Sequence, residues 1–301
     1  MTEPIAANGL TFDAEVAGDR DAPLVLMLHG FPQTSYSWRH QLQPLADAGF
    51  FAVAPNQRGY SLGAQPEGVA SYTTRLLVND ALEMARVLGH ERFHVVGHDW
   101  GGQLSWLLAA YHPERIRSLS VISRPHPAAF AAAFRSDPQQ ASRSKHHKAF
   151  QNPETVGLLL KNDAARLRRS LVDQGVPTAD IDAYLSVLAD PVTLEAAVNW
   201  YRAAASGESG LAAADVPAVT VPTLYIWGDA DSSVGEAAAR GTADFVTGPY
   251  RFEVLPGVGH FVTDQDGDRV TELLLDYLSG QQAFFNPVTF MHISGMKRVD
   301  Y

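Results

Sequence analysis

The sequence predicts an α/β protein with a mostly parallel central sheet, flanked by helices and interrupted by a helical insertion. Short apolar runs alternate with amphipathic segments from residue 23 to about 123, as expected for parallel strands joined by crossover helices. This pattern stops after Ser123 and returns only at Thr223, a gap far longer than a loop in a compact domain. The inserted segment must therefore contain helices of its own.

The predicted strands are short apolar runs bounded by polar, Gly or Pro residues. They cover residues 24–28, 51–54, 93–96, 119–122, 223–227 and 251–255. Between the second and third of these runs, apolar residues recur at helical spacing over residues 75–88 and are followed by Gly89, which suits a helix C-terminus. We therefore predict a crossover helix there.

The insertion shows helical patterns separated by polar, Pro or Gly breaks. They cover residues 154–160, 164–171, 181–189 and 194–205, while the alanine-rich residues 128–134 predict a helix packed on the core and residues 270–278 a closing helix. The chain is thus predicted to divide into a first core part (1–125), a helical cap (126–217), a second core part (218–280) and a C-terminal extension (281–301) of no assigned role.

Composition excludes several classes of function. With 46% hydrophobic and 19% charged residues, the chain has the composition of an ordinary globular protein. The 33 acidic residues outnumber the 23 basic ones, and the net charge of -10 repels nucleic acid phosphates and anionic membrane surfaces. Because the chain has no cysteine, any nucleophile must be an oxygen atom. Since no metal-ligand spacing is present, we expect neither a metal nor another cofactor.

The first 20 residues carry four acidic side chains and have neither the basic region nor the apolar run of a secretory signal. No stretch is long and apolar enough for a membrane span. A cytoplasmic location is the resulting expectation. The sequence leaves open whether the chain pairs as a homodimer.

The sharpest chemical signal is the segment VVGHDWGG at residues 95–102, where an apolar strand meets a turn and then a helical pattern. Gly97 and Gly101 flank Asp99 closely and allow the sharp turn of a nucleophile elbow, with Asp in the place where Ser is common. A carboxylate is ionised at neutral pH and attacks without a base. A helix N-cap would explain Asp99 but not both glycines, so we predict that Asp99 is a nucleophile.

The segment HGFP at residues 29–32 follows the first strongly apolar strand. Here the chain is expected to bend above the sheet, so that the backbone N–H groups of Phe31 and Trp100 form an oxyanion hole. A cis peptide bond at Pro32 would aim the Phe31 amide inward. An ordinary Gly-Pro turn is the alternative.

Two later loops supply an acid and a base. Asp231 follows the strand at 223–227, and His260 follows the strand at 251–255, which gives the chain order nucleophile, acid, base. His260 would take a proton from water, and Asp231 would orient the imidazole. Asp229 is the alternative acid, although its spacing is less favourable. The loop after the strand at 119–122 offers Ser123 but no carboxylate.

The remaining histidines show no catalytic pattern and are interpreted as surface or packing residues. Those considered are His90, His94, His98, His112 and His292.

Together these residues make the chain resemble the epoxide hydrolase family of the α/β-hydrolase superfamily over about residues 8–279. The segments that carry the resemblance are HGFPQTSYSW (29–38), QRGYSLGAQP (57–66), GHDWGG (97–102), RPHPAAF (124–130), NWYRA (199–203), WGDAD (227–231) and GVGHF (257–261). The combination is specific for the α/β-hydrolase fold with a helical cap and an Asp nucleophile, and less specific for epoxides.

The resemblance implies a reaction and its residues. Asp99 would open the epoxide ring and form a hydroxyalkyl ester, and Tyr201 of the cap would donate a hydrogen bond to the ring oxygen. His260 with Asp231 would then activate water to hydrolyse the ester to a vicinal diol, so the partners are a small apolar epoxide and water. Packing in a cap helix is the alternative role for Tyr201.

The family usually has a second cap tyrosine, but this chain has His146 at the matching position. An imidazole also donates hydrogen bonds, so His146 is the candidate for the second donor. Its neighbour His147 would point about 100° away on a helix, so only one of the two can face the ring. A solvated basic face is the alternative interpretation.

Two other functions compete with this one. A haloalkane dehalogenase shares the Asp nucleophile and the catalytic His, but its halide site needs a second N–H donor where this chain has Phe31. Because Trp100 and Trp200 could supply such a donor, this function stays an alternative. A catalytically silent ligand-binding protein would be expected to lack one member of the triad, and none is missing.

Overall fold

The computed structural model describes residues 1–207 and 212–285 and contains, within those ranges, a single eight-stranded sheet. The strands are β1 (Thr2–Ala7), β2 (Leu10–Ala17), β3 (Leu24–Leu28), β4 (Phe51–Pro55), β5 (Phe93–His98), β6 (Ile116–Ile122), β7 (Thr223–Gly228) and β8 (Tyr250–Leu255). Their order across the sheet is β1-β2-β4-β3-β5-β6-β7-β8, and all pairs from β4 to β8 are parallel. The predicted fold class is confirmed.

The sequence prediction missed the antiparallel edge of this sheet. β1 pairs with β2, and β2 pairs with β4, both in the antiparallel sense. Along β1 only Ile5 and Ala7 are buried, because this strand lies at the sheet edge with most side chains facing solvent. Such a strand has no continuous apolar run, which is the signal that reveals the interior strands.

Helices cover both faces of the sheet and fill the insertion. They are α1 (Arg39–Asp47), α2 (Thr74–Val87), α3 (Trp100–Tyr111), α4 (Pro127–Ser136), α5 (Pro138–Arg143), α6 (Lys145–Ala149), α7 (Thr155–Asp173), α8 (Thr178–Leu188), α9 (Pro191–Ser206), α10 (Glu236–Gly241), α11 (Val262–Gln265) and α12 (Gly267–Phe285). The predicted crossover helix is α2, and Gly89 follows it with a φ of +92°.

The core lies on the two faces of the sheet. Along β3, Leu24, Leu26 and Leu28 join one buried cluster, whereas Val25 and Met27 join the other. This alternation follows from the two-residue period of a strand. The site can therefore form at the carboxyl ends of the parallel strands, where loops converge.

The segment predicted to be a cap contains α4 to α9 in the part that the structure describes. Its helical patterns correspond to α7, α8 and α9. The break between the first two patterns, 154–160 and 164–171, is present within α7: residues 161–164 leave helical geometry, with positive φ at Asn162, Asp163 and Ala164. The exact division at residues 125/126 and 217/218 stays a prediction. Of the predicted extension, residues 286–301 lie outside the described residues.

A buried ionic cluster joins the insertion to the core. Arg39 of α1 contacts Asp180 of α8 and Asp264 of α11, each at 2.8 Å. The hydroxyl of Tyr184 in α8 donates to Asp264 at 2.7 Å, and Gln33 donates to the other carboxylate oxygen at 2.8 Å. Since these groups are removed from bulk water, the contacts fix α8 against the core more firmly than surface ion pairs would.

Between residues 1 and 207 and between 212 and 285, the structure contains no helix with the length and apolar character that crossing a bilayer requires.

Candidate active site

Asp99 lies at the sharp turn between β5 and α3. Its backbone φ is +50°, a left-handed conformation that is costly for a residue with a side chain. A Cβ on Gly97 would collide with the carbonyl of Gly101, and a Cβ on Gly101 would collide with the carbonyl of Leu28. The two glycines therefore permit the strained turn that holds the Asp99 carboxylate above the sheet.

The loop after β3 approaches this carboxylate closely. The Phe31 N–H donates a hydrogen bond to Asp99 Oδ1 at 3.1 Å, and the Phe31–Pro32 peptide bond is cis. Gly30 makes this approach possible, because a Cβ there would lie 2.6 Å from Asp99 Oδ1. Trp100 begins α3, so its N–H belongs to the first helical turn, where amides lack intrahelical acceptors. Among the described residues, the N–H that donates a hydrogen bond to Asp99 Oδ1 is that of Phe31.

His260 connects Asp99 to Asp231. Its Nε2 lies 3.6 Å from Asp99 Oδ2, and its Nδ1 lies 3.0 Å from Asp231 Oδ2. Asp231 is buried, and its Oδ1 accepts hydrogen bonds from the backbone N–H groups of Ser233 and Val234 at 2.7 and 2.9 Å. These bonds fix the carboxylate, which in turn orients the imidazole with Nε2 toward Asp99.

The alternative acid, Asp229, is exposed and accepts a hydrogen bond from the Gly257 N–H at 2.6 Å. This carboxylate shapes the loop after β8 and makes no contact with the His260 ring within the described residues. The geometry therefore pairs His260 with Asp231.

The three groups influence each other's ionisation. Burial lowers the pKa of His260, but the Asp231 and Asp99 carboxylates outweigh burial and raise it to about 10. Burial raises the pKa of Asp99, but the hydrogen bond and positive charge of His260 hold it well below its usual range. The pKa of Asp231 is lowered in the same way, against the effect of burial. These interactions favour the ionised form of Asp99 and the protonated form of His260.

Tyr201 of α9 faces the same site from the insertion. Only 5% of this residue is exposed, and its ring makes edge-on contacts with Phe150, Trp100 and Phe31, with centroids 4.7, 5.1 and 5.6 Å apart. Burial, reinforced by the Asp99 carboxylate, raises the pKa of Tyr201 well above its ordinary value. The phenol is therefore protonated and can donate a hydrogen bond.

His146 and His147 both pack against Tyr201, and their own ring centroids are 4.5 Å apart. Their ring centroids are 6.1 and 5.4 Å from that of Tyr201, but His146 lines the cavity that contains Asp99, whereas His147 lines a neighbouring cavity. His146 Nδ1 lies 3.2 Å from the Arg143 carbonyl oxygen. Because a carbonyl only accepts, Nδ1 carries the proton, and Nε2 of the neutral ring is an acceptor.

Asp99, His260, Tyr201 and His146 all border one cavity of about 320 Å³. The rest of its wall is mixed: the apolar side chains are Phe31, Pro32, Phe150, Leu159, Leu167 and Phe261, and the polar ones are Arg143, Ser170, Gln174, Ser232 and Ser233. A small molecule fits such a space, with apolar surface to bury and polar groups to orient it. In the described ranges no cluster of three or more His, Asp or Glu side chains is arranged to hold a metal ion.

Two contributors were not predicted from the sequence. The Ser123 hydroxyl donates a hydrogen bond to Asp231 Oδ2 and lies 2.9 Å from His260 Nδ1. The hydroxyl of Tyr225 donates a hydrogen bond to the Ser123 carbonyl oxygen at 2.9 Å. His98 is buried and donates from Nε2 to the His260 carbonyl at 2.8 Å. The position of Ser123 directly after β6 could have predicted its role, whereas no pattern in the neighbouring sequence sets His98 apart from the other histidines.

The other histidines correspond partly to the prediction. His94 is buried and contacts Ser118 at 2.7 Å, while His90 contacts the Arg20 carbonyl at 3.1 Å near the surface. His112 is partly exposed and lies 3.9 Å from Glu114. His292 lies outside the described residues.

Comparison with known proteins agrees with this architecture. Residues 23–266 match the family model of the alpha/beta hydrolase fold. The chain is 33% identical over 283 residues to the AB hydrolase superfamily protein YfhM of Bacillus subtilis, covering 92% of this chain and 97% of that protein. It is 31% identical to epoxide hydrolase A of Mycobacterium tuberculosis, covering 92% and 96% of the two chains.

A solved structure of a metagenomic epoxide hydrolase from hot environments superimposes with a TM-score of 0.83 at 29% identity, over 93% of this chain and 99% of that one. The chain belongs to the α/β-hydrolase superfamily and, within it, to the epoxide hydrolase family.

Proposed function

We propose that this protein hydrolyses an epoxide to a vicinal diol through a covalent ester on Asp99. The observation that carries the proposal is the placement of an ionised carboxylate and a protonated phenol on the walls of one small cavity, with an imidazole in contact with the carboxylate. Several relatives in the family are named epoxide hydrolases.

In the first step an Asp99 oxygen attacks one ring carbon, and the carbon–oxygen bond of the ring breaks. Because Oδ1 is held by the Phe31 N–H, Oδ2 is the atom we expect to be alkylated. Tyr201 donates a hydrogen bond to the ring oxygen and transfers its proton as negative charge develops there. The product is a hydroxyalkyl ester, and the tyrosinate is reprotonated from solvent.

In the second step water attacks the ester carbonyl carbon of Asp99, and His260 takes the water proton. Esterification neutralises Asp99, so one of the two carboxylates that raise the pKa of His260 loses its charge. The imidazole then loses its proton to solvent more readily and can act as the base. The Phe31 and Trp100 amides hold the oxyanion. When it collapses, the bond between the acyl carbon and the alkyl oxygen breaks, His260 returns its proton to that oxygen, and the diol leaves. The proton of the new Asp99 carboxyl group passes to His260, which regenerates the carboxylate.

The two competing functions are less well supported. A halide site needs a second N–H donor, but the Trp200 indole N–H is already bonded to the Arg58 carbonyl at 2.9 Å. A silent ligand-binding protein does not need the contacts between Asp99, His260 and Asp231. Epoxide hydrolysis uses each of these groups.

The test is the intact mass of the His260→Ala variant after incubation with a 1,2-epoxide and a 1-bromoalkane. Alkylation needs no base but hydrolysis of the ester does, so a hydroxyalkyl adduct should accumulate and map to Asp99. The His260→Ala/Asp99→Asn double variant is the matched control and should stay unmodified. A plain alkyl adduct would indicate a dehalogenase, and no adduct with any of several epoxides would favour the silent protein.

A further inference from the structure

The loop between β8 and α11 carries His260, and its first half is held by the loop that follows β7. The N–H of Gly257 donates a hydrogen bond to Asp229 Oδ1 at 2.6 Å. The carbonyl of Val258 accepts a hydrogen bond from the N–H of Ala230 at 3.0 Å. The second half of the loop, which ends at the base, is held by a different group.

That group is the side-chain amide of Gln265 in α11. Its Oε1 accepts a hydrogen bond at 2.7 Å from the N–H of Gly259, the residue directly before the base. The approach is close, since a Cβ on Gly259 would lie 2.9 Å from Gln265 Nε2. After the base, the His98 ring and the N–H of Val262 donate to the His260 carbonyl at 2.8 and 2.9 Å. The backbone is therefore held on both sides of the base.

The same amide also reaches the insertion. Its Nε2 donates a hydrogen bond to the carbonyl of Gln174 at 2.5 Å. Gln174 directly follows α7 and borders the catalytic cavity. Its own Oε1 accepts a hydrogen bond at 3.0 Å from the hydroxyl of Ser232, which comes directly after Asp231. Gln265 thus joins the loop of the base to a residue of the insertion at the cavity wall.

The short helix α11 gives the Gln265 side chain a fixed support. The neighbouring residue, Asp264, is buried in the ionic cluster that joins the insertion to the core. It is bound there by three side chains, those of Arg39, Tyr184 and Gln33. Because α11 is anchored on that side, the Gln265 amide can hold the loop of the base in one position.

We propose that Gln265 is a positioning residue that keeps His260 within reach of the water that hydrolyses the ester on Asp99. A general base must lie within hydrogen-bond distance of the proton that it removes. A displacement of about 1 Å caused by a residue outside the reacting groups can slow a reaction about 100-fold. Without the Gln265 amide, the Gly259 N–H loses its acceptor and the end of the loop can move. The inference rests on the proposed function and adds a residue to its second step.

The experiment measures ester formation and ester hydrolysis separately, by rapid quench and intact mass, in the unaltered protein and in Gln265→Met. Methionine has a similar length but no amide, so both hydrogen bonds are lost. His260 takes a proton from water only in the second step. Ester hydrolysis should therefore slow by about tenfold or more, ester formation should change by less than about twofold, and the ester should accumulate. Equal slowing of both steps would overturn the proposal, because it would mean that Gln265 only seats the insertion over the cavity.

The variant Gln265→Glu separates the two contacts. Its carboxylate keeps an acceptor for the Gly259 N–H but repels the Gln174 carbonyl, so the contact with the insertion is lost while the contact with the loop is kept. Ester hydrolysis should stay within about threefold of the unaltered rate. Rates are compared at the pH-independent plateau of each variant, because the added charge raises the pKa of His260. A loss as large as that of Gln265→Met would assign the effect to the insertion and overturn the proposal.

The matched control is Gln43→Met, which removes an exposed amide of α1 that donates to Asp47 at 2.7 Å and should leave both rates unchanged. An ester that forms and decays at the unaltered rates in Gln265→Met would overturn the positioning role and leave epoxide hydrolysis intact. Absence of an ester with every epoxide, in the unaltered protein and in His260→Ala, would instead remove the proposed function, and the role of Gln265 with it.

Discussion

The core half and the insertion half of the active site are held in place by different kinds of interaction. Asp99, His260 and Asp231 are fixed by a strained turn and by short hydrogen bonds from backbone and side chains. Tyr201 and His146 are placed mainly by the packing of aromatic rings. Hydrogen bonds are directional and ring contacts are more tolerant, so we expect the core half to tolerate smaller displacements of its side chains than the insertion half.

The core half should therefore be the less tolerant of change. Asp99→Asn should reduce diol formation by more than about 10⁴-fold, because among the described residues that line the cavity no second carboxylate is present. Steady-state turnover of a terminal epoxide is the measurement. Glu83→Gln, on the exposed face of α2, is the control and should keep full activity. Substantial turnover by Asp99→Asn would contradict a covalent ester on this residue.

The insertion half should show an intermediate effect. Tyr201→Phe keeps the ring contacts but removes the proton donor, so ester formation should slow by about 100-fold while ester hydrolysis changes little. Rapid-quench measurement of the two steps separates them. Equal slowing of both steps would instead indicate that Tyr201 only shapes the cavity.

The ionic cluster that joins the insertion to the core can be tested by its contribution to stability. Arg39→Met leaves Asp264 and Asp180 without their cation, and the free energy of unfolding should fall by about 2 kcal/mol in urea titrations. Arg168→Met removes an exposed ion pair with Asp182 and should cost less than about 0.5 kcal/mol. Similar losses in both variants would mean that burial adds nothing to the Arg39 contacts.

The charge coupling in the core half predicts a specific pH dependence. Asp99→Asn removes a carboxylate that raises the pKa of His260, so its imidazole should titrate below the value of about 10 in the unaltered protein. Nitrogen NMR of the labelled ring measures this change. In the unaltered protein, esterification of Asp99 removes the same charge, and the base works only when neutral, so hydrolysis of the ester should slow as pH falls through the pKa of His260 in the alkylated protein. An unchanged His260 titration in Asp99→Asn would refute the coupling.

The smallest effect is expected at His146. Its proton is on Nδ1, so the neutral ring offers no donor from Nε2, and burial lowers the pKa of His146 so that the charged form is scarce at pH 8. His146→Phe should therefore slow ester formation by less than about threefold at that pH. A loss as large as that of Tyr201→Phe would show that Nε2 carries a proton.

Most of the site in the core half was predictable because motifs there encode local backbone geometry. The glycines around Asp99 predict the sharp turn, because only residues without a side chain fit there. The loops that carry Asp231 and His260 follow strands whose carboxyl ends share one edge of the sheet. Ser123 and His98 act through residues distant in sequence, and no local pattern marks such contacts. The β1 and β2 hairpin was missed for a related reason, since an exposed edge strand lacks a continuous apolar run.

By itself the sequence determined the fold class, the place of the insertion, and the nucleophile, acid and base candidates, because strand periodicity and tight turns depend on neighbouring residues. Only the tertiary structure decided which of His146 and His147 borders the catalytic cavity, and that the Nδ1 atom of His146 lies against the Arg143 carbonyl oxygen. These properties depend on which side chains and carbonyl groups meet when separate elements pack together.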